Sequence, residues 1–119
     1  MCIIDSSNVD LVIEAATEDF KIKSSLFSSL DQITDPHCIL ATNTSSISIN
    51  KIADVTKRAH NVIGMHFMNP VPIMKLIEII KTNRTSSETL DKIIIGNCSF
   101  GNRRRQTVFI DCNLNFASF

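Results

Sequence analysis

The chain has 119 residues, 44% of them apolar and 20% charged, which describes an ordinary globular protein with a buried core and excludes a disordered tail. Twelve basic and twelve acidic side chains leave no net charge, so nothing in the balance calls for nucleic acid or an anionic membrane. The one basic run, Arg103, Arg104 and Arg105, reads as a solvated loop, and no apolar stretch approaches the roughly 20 residues that span a bilayer.

Cys2, Cys38, Cys98 and Cys112 are scattered, with no Cys-x-x-Cys pair and no histidine near them in a metal-ligand spacing, so no metal site is expected. Two of them lie in apolar runs, where cysteine behaves as a small hydrophobe; reduced structural thiols in an intracellular, soluble protein are expected. Asp5 and Asp10 interrupt any leader-like run near the start.

In chain order, residues 9–16 (VDLVIEAA) form an almost continuous apolar run, as in a strand buried on both faces of a parallel sheet. Residues 19–33 switch to helical spacing, with Ile22, Leu26, Leu30 and Ile33 as the core stripe and Phe27 beside it. Lysines and serines then fall on the other face. Asp35-Pro36 ends that helix, because proline disfavours helical geometry in the residue before it. Residues 38–42 (CILAT) read as a second strand, and residues 50–56 as a modest helix with Ser48 as N-cap. Residues 61–67 (NVIGMHF) read as a third strand, which Asn69-Pro70-Val71-Pro72 cannot continue. Residues 75–81 (KLIEIIK) give a fourth strand and residues 87–95 a final helix; the alternation argues for an α/β layered sheet. From Gly96 onward Gly, Asn, Arg and Ser crowd together, only residues 107–110 look strand-like, and residues 113–119 show no clear period.

Ligands of open α/β sheets sit beyond the carboxyl ends of the strands, which makes Asn43-Thr44-Ser45-Ser46 a candidate binding loop; a plain capped turn is the alternative. Glu78 interrupts an apolar strand, where a buried carboxylate is expensive unless paired. The proline-rich connection could bring it to His66, near which Asn69 also lies. A carboxylate that orients a histidine completes a general-base dyad; a structural ion pair is the competing reading. Glu14 and Glu18, followed by Lys21 and Lys23, read as acids suited to a helix's first turn, with a cofactor contact as the alternative.

Taken together, DLVIEAATEDFKIKSSLFSSLD, ILATNTSSISI and IGMHFMNPVPIMKLIEIIKT resemble the 3-hydroxyacyl-CoA dehydrogenase family, collinearly over residues 9–90. The resemblance implies the second half of a Rossmann-like NAD-binding domain and oxidation of a (3S)-3-hydroxyacyl-CoA to the 3-oxoacyl-CoA with NAD, a step of fatty-acid β-oxidation. It implies that His66 is the general base and Glu78 its acidic partner. Ser45 would hydrogen-bond the substrate oxygen and Asn69 would orient the reacting group. Asn43 would lie beside the nicotinamide, Glu18 and Lys23 near the ribose and cleft, and Ala15 along the dinucleotide path. Partners would be the acyl-CoA and either a second subunit or the rest of a multifunctional protein. The compartment would be the mitochondrial matrix or peroxisome in a eukaryote and the cytoplasm in a bacterium.

The family also opens with a strand, a G-x-G-x-x-G loop and a helix that binds pyrophosphate, and continues into a helical domain; the sequence shows neither. Residues 1–95 are therefore expected to be a partial NAD-binding domain, and residues 96–119 a divergent tail from a shifted frame or an alternative exon. Alone, the chain is expected not to bind NAD measurably. Residues 9–16, matching the family's fourth strand, are expected to lack their neighbour and expose an apolar edge. Two other readings are a truncated product that binds full-length subunits without catalysis, and a related dehydrogenase of a small hydroxy acid.

Overall fold

The computed structural model describes residues 9–67, 77–98, 106–111 and 116–118. Asn69, the proline-rich connection, Arg103, Arg104, Arg105, Cys2 and Cys112 lie outside them.

Strand β1 (Val9–Ala15) is covered on both faces, since the adjacent residues Val12 and Ile13 are both buried. Helix α1 (Phe20–Ile33) begins at Asp19, whose carboxylate accepts from the amides of Lys21 and Ile22 at 2.8 and 3.1 Å. Its buried face differs from the expected stripe. Lys23, Phe27 and Leu30 point inward, whereas Ile22 and Ile33 are 48% and 51% exposed. Neither Glu14 nor Glu18 sits in its first turn, so helix-dipole compensation is not their role.

Strand β2 (Ile39–Thr42) is wholly buried. Helix α2 (Ile49–Ala53) is shorter than residues 50–56. Ser48 holds its N-cap position with no side-chain cap bond, and its carbonyl accepts from Lys51 and Ile52. A 3-10 turn (Ala59–Asn61) leads into β3 (Val62–Phe67). Then come β4 (Ile77–Ile80), α3 (Ser87–Cys98), β5 (Gln106–Asp111) and β6 (Phe116–Ser118).

All the described strands join one sheet in the order β4-β3-β2-β1-β5-β6. Strands β3, β2, β1 and β5 run parallel, while β4 and β6 are antiparallel to their neighbours. One face packs Val12, Leu40 and Val62 against Phe27 and Leu30 of α1 and Ile52 of α2. The other packs Ile13, Ala41, Ile63 and Met65 against Leu90 and Ile93 of α3. Each fully buried Leu, Ile, Met or Phe contributes about 1.5–3 kcal/mol by leaving water.

The edge expected to be bare is occupied. β5 pairs with β1 from Leu11 opposite Thr107 to Ala15 opposite Asp111, with a register irregularity between Val9 and Leu11. β6, in a stretch without sequence period, then pairs with β5. Val-Phe-Ile in β5 suffices for a strand, and once it is formed the unpaired backbone of β1 on one side and of β6 on the other have a ladder to join.

Arg58 ties the α1–β2 corner. Its Nε meets Asp31 Oδ1 at 2.7 Å, and its other donors reach the carbonyls of Asp31, Thr34, Asp35 and Cys38. A guanidinium carries five N–H donors, so all are used, one on the Asp31 carboxylate and four on carbonyls in the last turn of α1 and just beyond it. Cys38 beside it is a buried thiol, pushed up to about 11 by burial, in keeping with a structural role.

Candidate active site

Three parallel strands deliver their carboxyl ends to one edge of the sheet. Thr42 of β2 lies opposite Glu14 of β1 and opposite Gly64 of β3. Ala15 and Asn43 therefore follow at neighbouring strand ends, His66 lies two residues beyond Gly64 on the next strand, and the loop holding Ser45 follows directly after β2. Antiparallel β4 supplies Glu78 at the same edge, directly opposite His66.

The structure brings His66 and Glu78 together through that register, with Nδ1 3.3 Å from Oε2. An ionised carboxylate can only accept, so in the neutral imidazole this contact places the proton on Nδ1 and the lone pair on Nε2, the tautomer a general base needs. Glu78 is not buried as expected: the side chains are 30% and 55% exposed, because β4 is the edge strand of the sheet. The pair is thus partly exposed at the edge of the described sheet.

The Ser45 loop is organised by its neighbours. Thr44 is buried, and its hydroxyl donates to Glu18 while accepting from the amides of Ser46 at 3.4 Å and Ile47 at 3.0 Å. Glu18 also accepts from the Ser46 hydroxyl at 3.1 Å and the Ser46 amide at 3.4 Å. Ser45 stands exposed between them. Partial burial raises the Glu18 pKa, but the hydrogen bonds from Thr44 and Ser46 and the Lys23 charge outweigh it and hold the group below the usual carboxylate value.

Beneath this loop lies a pair that the pattern of charges did not single out. Lys23 and Glu14 are both 0% exposed, with Nζ 2.7 Å from Oε1. Nζ also donates to the carbonyls of Ala16 and Asn43 at 3.2 and 3.3 Å, and Glu14 accepts from the Ala16 amide and the Thr42 hydroxyl. The ammonium therefore links the ends of β1 and β2. A signal was available: Lys23 shares helical spacing with Phe27 and Leu30, and Glu14 interrupts the apolar run of β1.

Ala15 and Asn43 are half-buried at the strand ends, and Asn69 lies outside the described residues. Among the described residues no His, Cys, Asp or Glu cluster fits a metal ion, and no helix is long and apolar enough to cross a membrane.

The sequence profile of the 3-hydroxyacyl-CoA dehydrogenase NAD-binding domain matches residues 3–102. The chain belongs to the 3-hydroxyacyl-CoA dehydrogenase family. It is 53% identical over 89 residues to the 3-hydroxybutyryl-CoA dehydrogenase of Clostridioides difficile, covering 75% of this chain and 32% of that one. It is 46% identical over 93 residues to the peroxisomal fatty acid beta-oxidation multifunctional protein of rice (Oryza sativa subsp. japonica), covering 77% of this chain and 13% of that protein. The crystal structure of (S)-3-hydroxybutyryl-CoA dehydrogenase from Ralstonia eutropha superposes with a TM-score of 0.73 at 41% identity, over 91% of this chain and 37% of that one. The chain thus spans about a third or less of the curated relatives it matches.

The family domain binds NAD. Glu18 lies exposed beside the strand ends, with Oε1 accepting from Thr44 and Ser46, and Ala15 is half-buried at the edge of the sheet. The pyrophosphate is a different matter. Among the described residues, the strand beside β1 is β5, whose last residue is Asp111, and the next described element is antiparallel β6, not a helix N-terminus.

Proposed function

We propose that the chain carries the base side of an NAD-dependent oxidation of (3S)-3-hydroxyacyl-CoA to 3-oxoacyl-CoA. The observation that supports it is the His66–Glu78 pair, held in register across β3 and β4 beside the Ser45 loop. The dinucleotide supplies the hydride acceptor. His66 Nε2 takes the hydroxyl proton as the carbon–hydrogen bond breaks, and Glu78 stabilises the imidazolium that results. Ser45 hydrogen-bonds the substrate oxygen and helps place His66, and Asn69 orients the reacting group. Asn43 and Ala15 border the nicotinamide, with Glu18 toward the ribose; Lys23, expected near the ribose and cleft, is instead fully buried with its three donors on Glu14, Ala16 and Asn43, and supports the cleft from below. In a eukaryote the setting is the mitochondrial matrix or the peroxisome, and in a bacterium the cytoplasm. The acyl-CoA site is completed by a second subunit or by the rest of a multifunctional protein.

The test supplies the missing contacts by placing residues 9–90 into a full-length family member. Glu78→Gln should then lower the turnover rate by about two to four orders of magnitude, the usual share of a general base, and leave cofactor affinity unchanged. An unchanged rate would return Glu78 to the role of a structural ion pair.

A second reading is a non-catalytic chain. The observation in its favour is β5, which takes the place beside β1 where a cofactor-binding strand would pair. Calorimetry separates the two: micromolar NAD binding by the purified chain argues against the non-catalytic reading.

A further inference from the structure

Ser45 reaches solvent from a loop of five residues between β2 and Ser48, and no regular element holds it. What holds it is one carboxylate from another loop. Thr44 Oγ1, Ser46 Oγ and the Ser46 amide all converge on Glu18 Oε1. A hydroxyl has one proton and two lone pairs. With its proton committed to Glu18, Thr44 turns both lone pairs toward the Ser46 and Ile47 amides, the bonds that close the loop around Ser45.

We propose that Glu18 is the positioning residue of Ser45: its Oε1 pins Thr44 and Ser46 on either side and so fixes the direction in which the Ser45 hydroxyl is presented. Lys23 and Glu14 hold the floor below, through the carbonyls of Ala16 and Asn43, so that the Glu18 and Ser45 loops keep their spacing. The link to substrate rests on the reading of Ser45 given above; the geometric claim does not. Glu18 acts here through other residues, separately from any contact with a cofactor.

Amide hydrogen exchange on the full chain tests this without requiring activity. Glu18→Ala should speed exchange at Ser46 and Ile47 by about tenfold or more, the loss expected when charge-assisted hydrogen bonds go. Exchange at Val12 and Ala41, within the β1–β2 ladder, should stay unchanged. Glu18→Gln, which keeps an acceptor oxygen, should restore most of the protection. Thr44→Val, which leaves Glu18 intact, should reproduce the Glu18→Ala pattern. Unchanged exchange at Ser46 and Ile47 in Glu18→Ala overturns the proposal, and so does an equal rise in the β1 and β2 amides, which would mean general destabilisation. If instead the loop responds as stated while Glu78→Gln leaves the hybrid's rate intact, the catalytic reading falls and the positioning of Ser45 stands.

Discussion

Lys23 shows most clearly how one residue can serve the fold and the site together. Its ammonium is fully buried against Glu14, so removing it strands a carboxylate in the interior. Lys23→Met should destabilise the chain by about 3–5 kcal/mol, read from urea unfolding. Glu14→Gln added to Lys23→Met should recover a large part of that loss, because the amide keeps the Thr42 contact without a charge. A double variant no more stable than Lys23→Met would mean that the pair is not the source of the cost. Glu18 behaves differently because it is exposed and titrates. Its folded-state pKa is lowered, so its charge-assisted hold on Thr44 and Ser46 is complete above the ordinary carboxylate value of 4.5 and weakens as pH falls through its own, lower value. The Ser46 amide resonance followed from pH 7 downward should therefore shift only below about pH 4.5, at the low end of the carboxylate range. At this scale the sequence was informative about types and weaker about environment. His66 and Glu78 could be paired from their positions, yet Glu78 is exposed, because an apolar neighbour on each side does not reveal that a strand is at an edge.

At the level of elements, Gly64 decides how close β3, β4 and α2 can come. A Cβ there would lie 2.4 Å from Ile49 Cδ1, 3.0 Å from Ile80 Cβ and 3.2 Å from the Ile80 carbonyl oxygen. The Ile49 methyl can swing away, but Ile80 cannot without moving β4. Gly64→Ala should cost about 1–3 kcal/mol as an overpacked site. In the hybrid it should also lower the rate, since His66 and Glu78 face each other two residues further along the same strand pair. Full activity with full stability would show that β4 has slack. Strand positions were legible because buried parallel strands read as unbroken apolar runs, and β1, β2 and β3 fall where those runs lie. The orientation of α1 was legible only in part: Leu30 is buried and Leu26 packs against the core as expected, but Ile22 and Ile33 are exposed. An apolar stripe of Ile22, Leu26, Leu30 and Ile33 fits the helical period as well as Lys23, Phe27 and Leu30 do, and the lysine disguised the true inner face.

Across the whole molecule, the sheet is completed from within the chain. The family resemblance led to the expectation of a bare edge on β1, and the tail covers it through β5 and β6. Composition hid this, because the Gly, Asn and Arg ahead of β5 read as loop and strand pairing at long range leaves no local mark. Val108 lies opposite Val12 at the centre of that contact, so Val108→Pro removes a ladder donor and should free the edge. Size-exclusion chromatography should then show more self-association than the unaltered chain does; identical profiles would mean that β5 does not protect β1.

What joins these scales is the claim that His66 and Glu78 act as one catalytic unit at the carboxyl edge of the sheet. The most direct measurement is a double-mutant cycle on the hybrid carrying residues 9–90, comparing His66→Gln, Glu78→Gln and the double variant by kcat. A single proton-accepting unit predicts a large loss for each single variant, His66→Gln at least as damaging as Glu78→Gln, and a double variant little worse than the worse single. Losses that simply add would contradict it, because Glu78 would then contribute by a route that does not pass through His66.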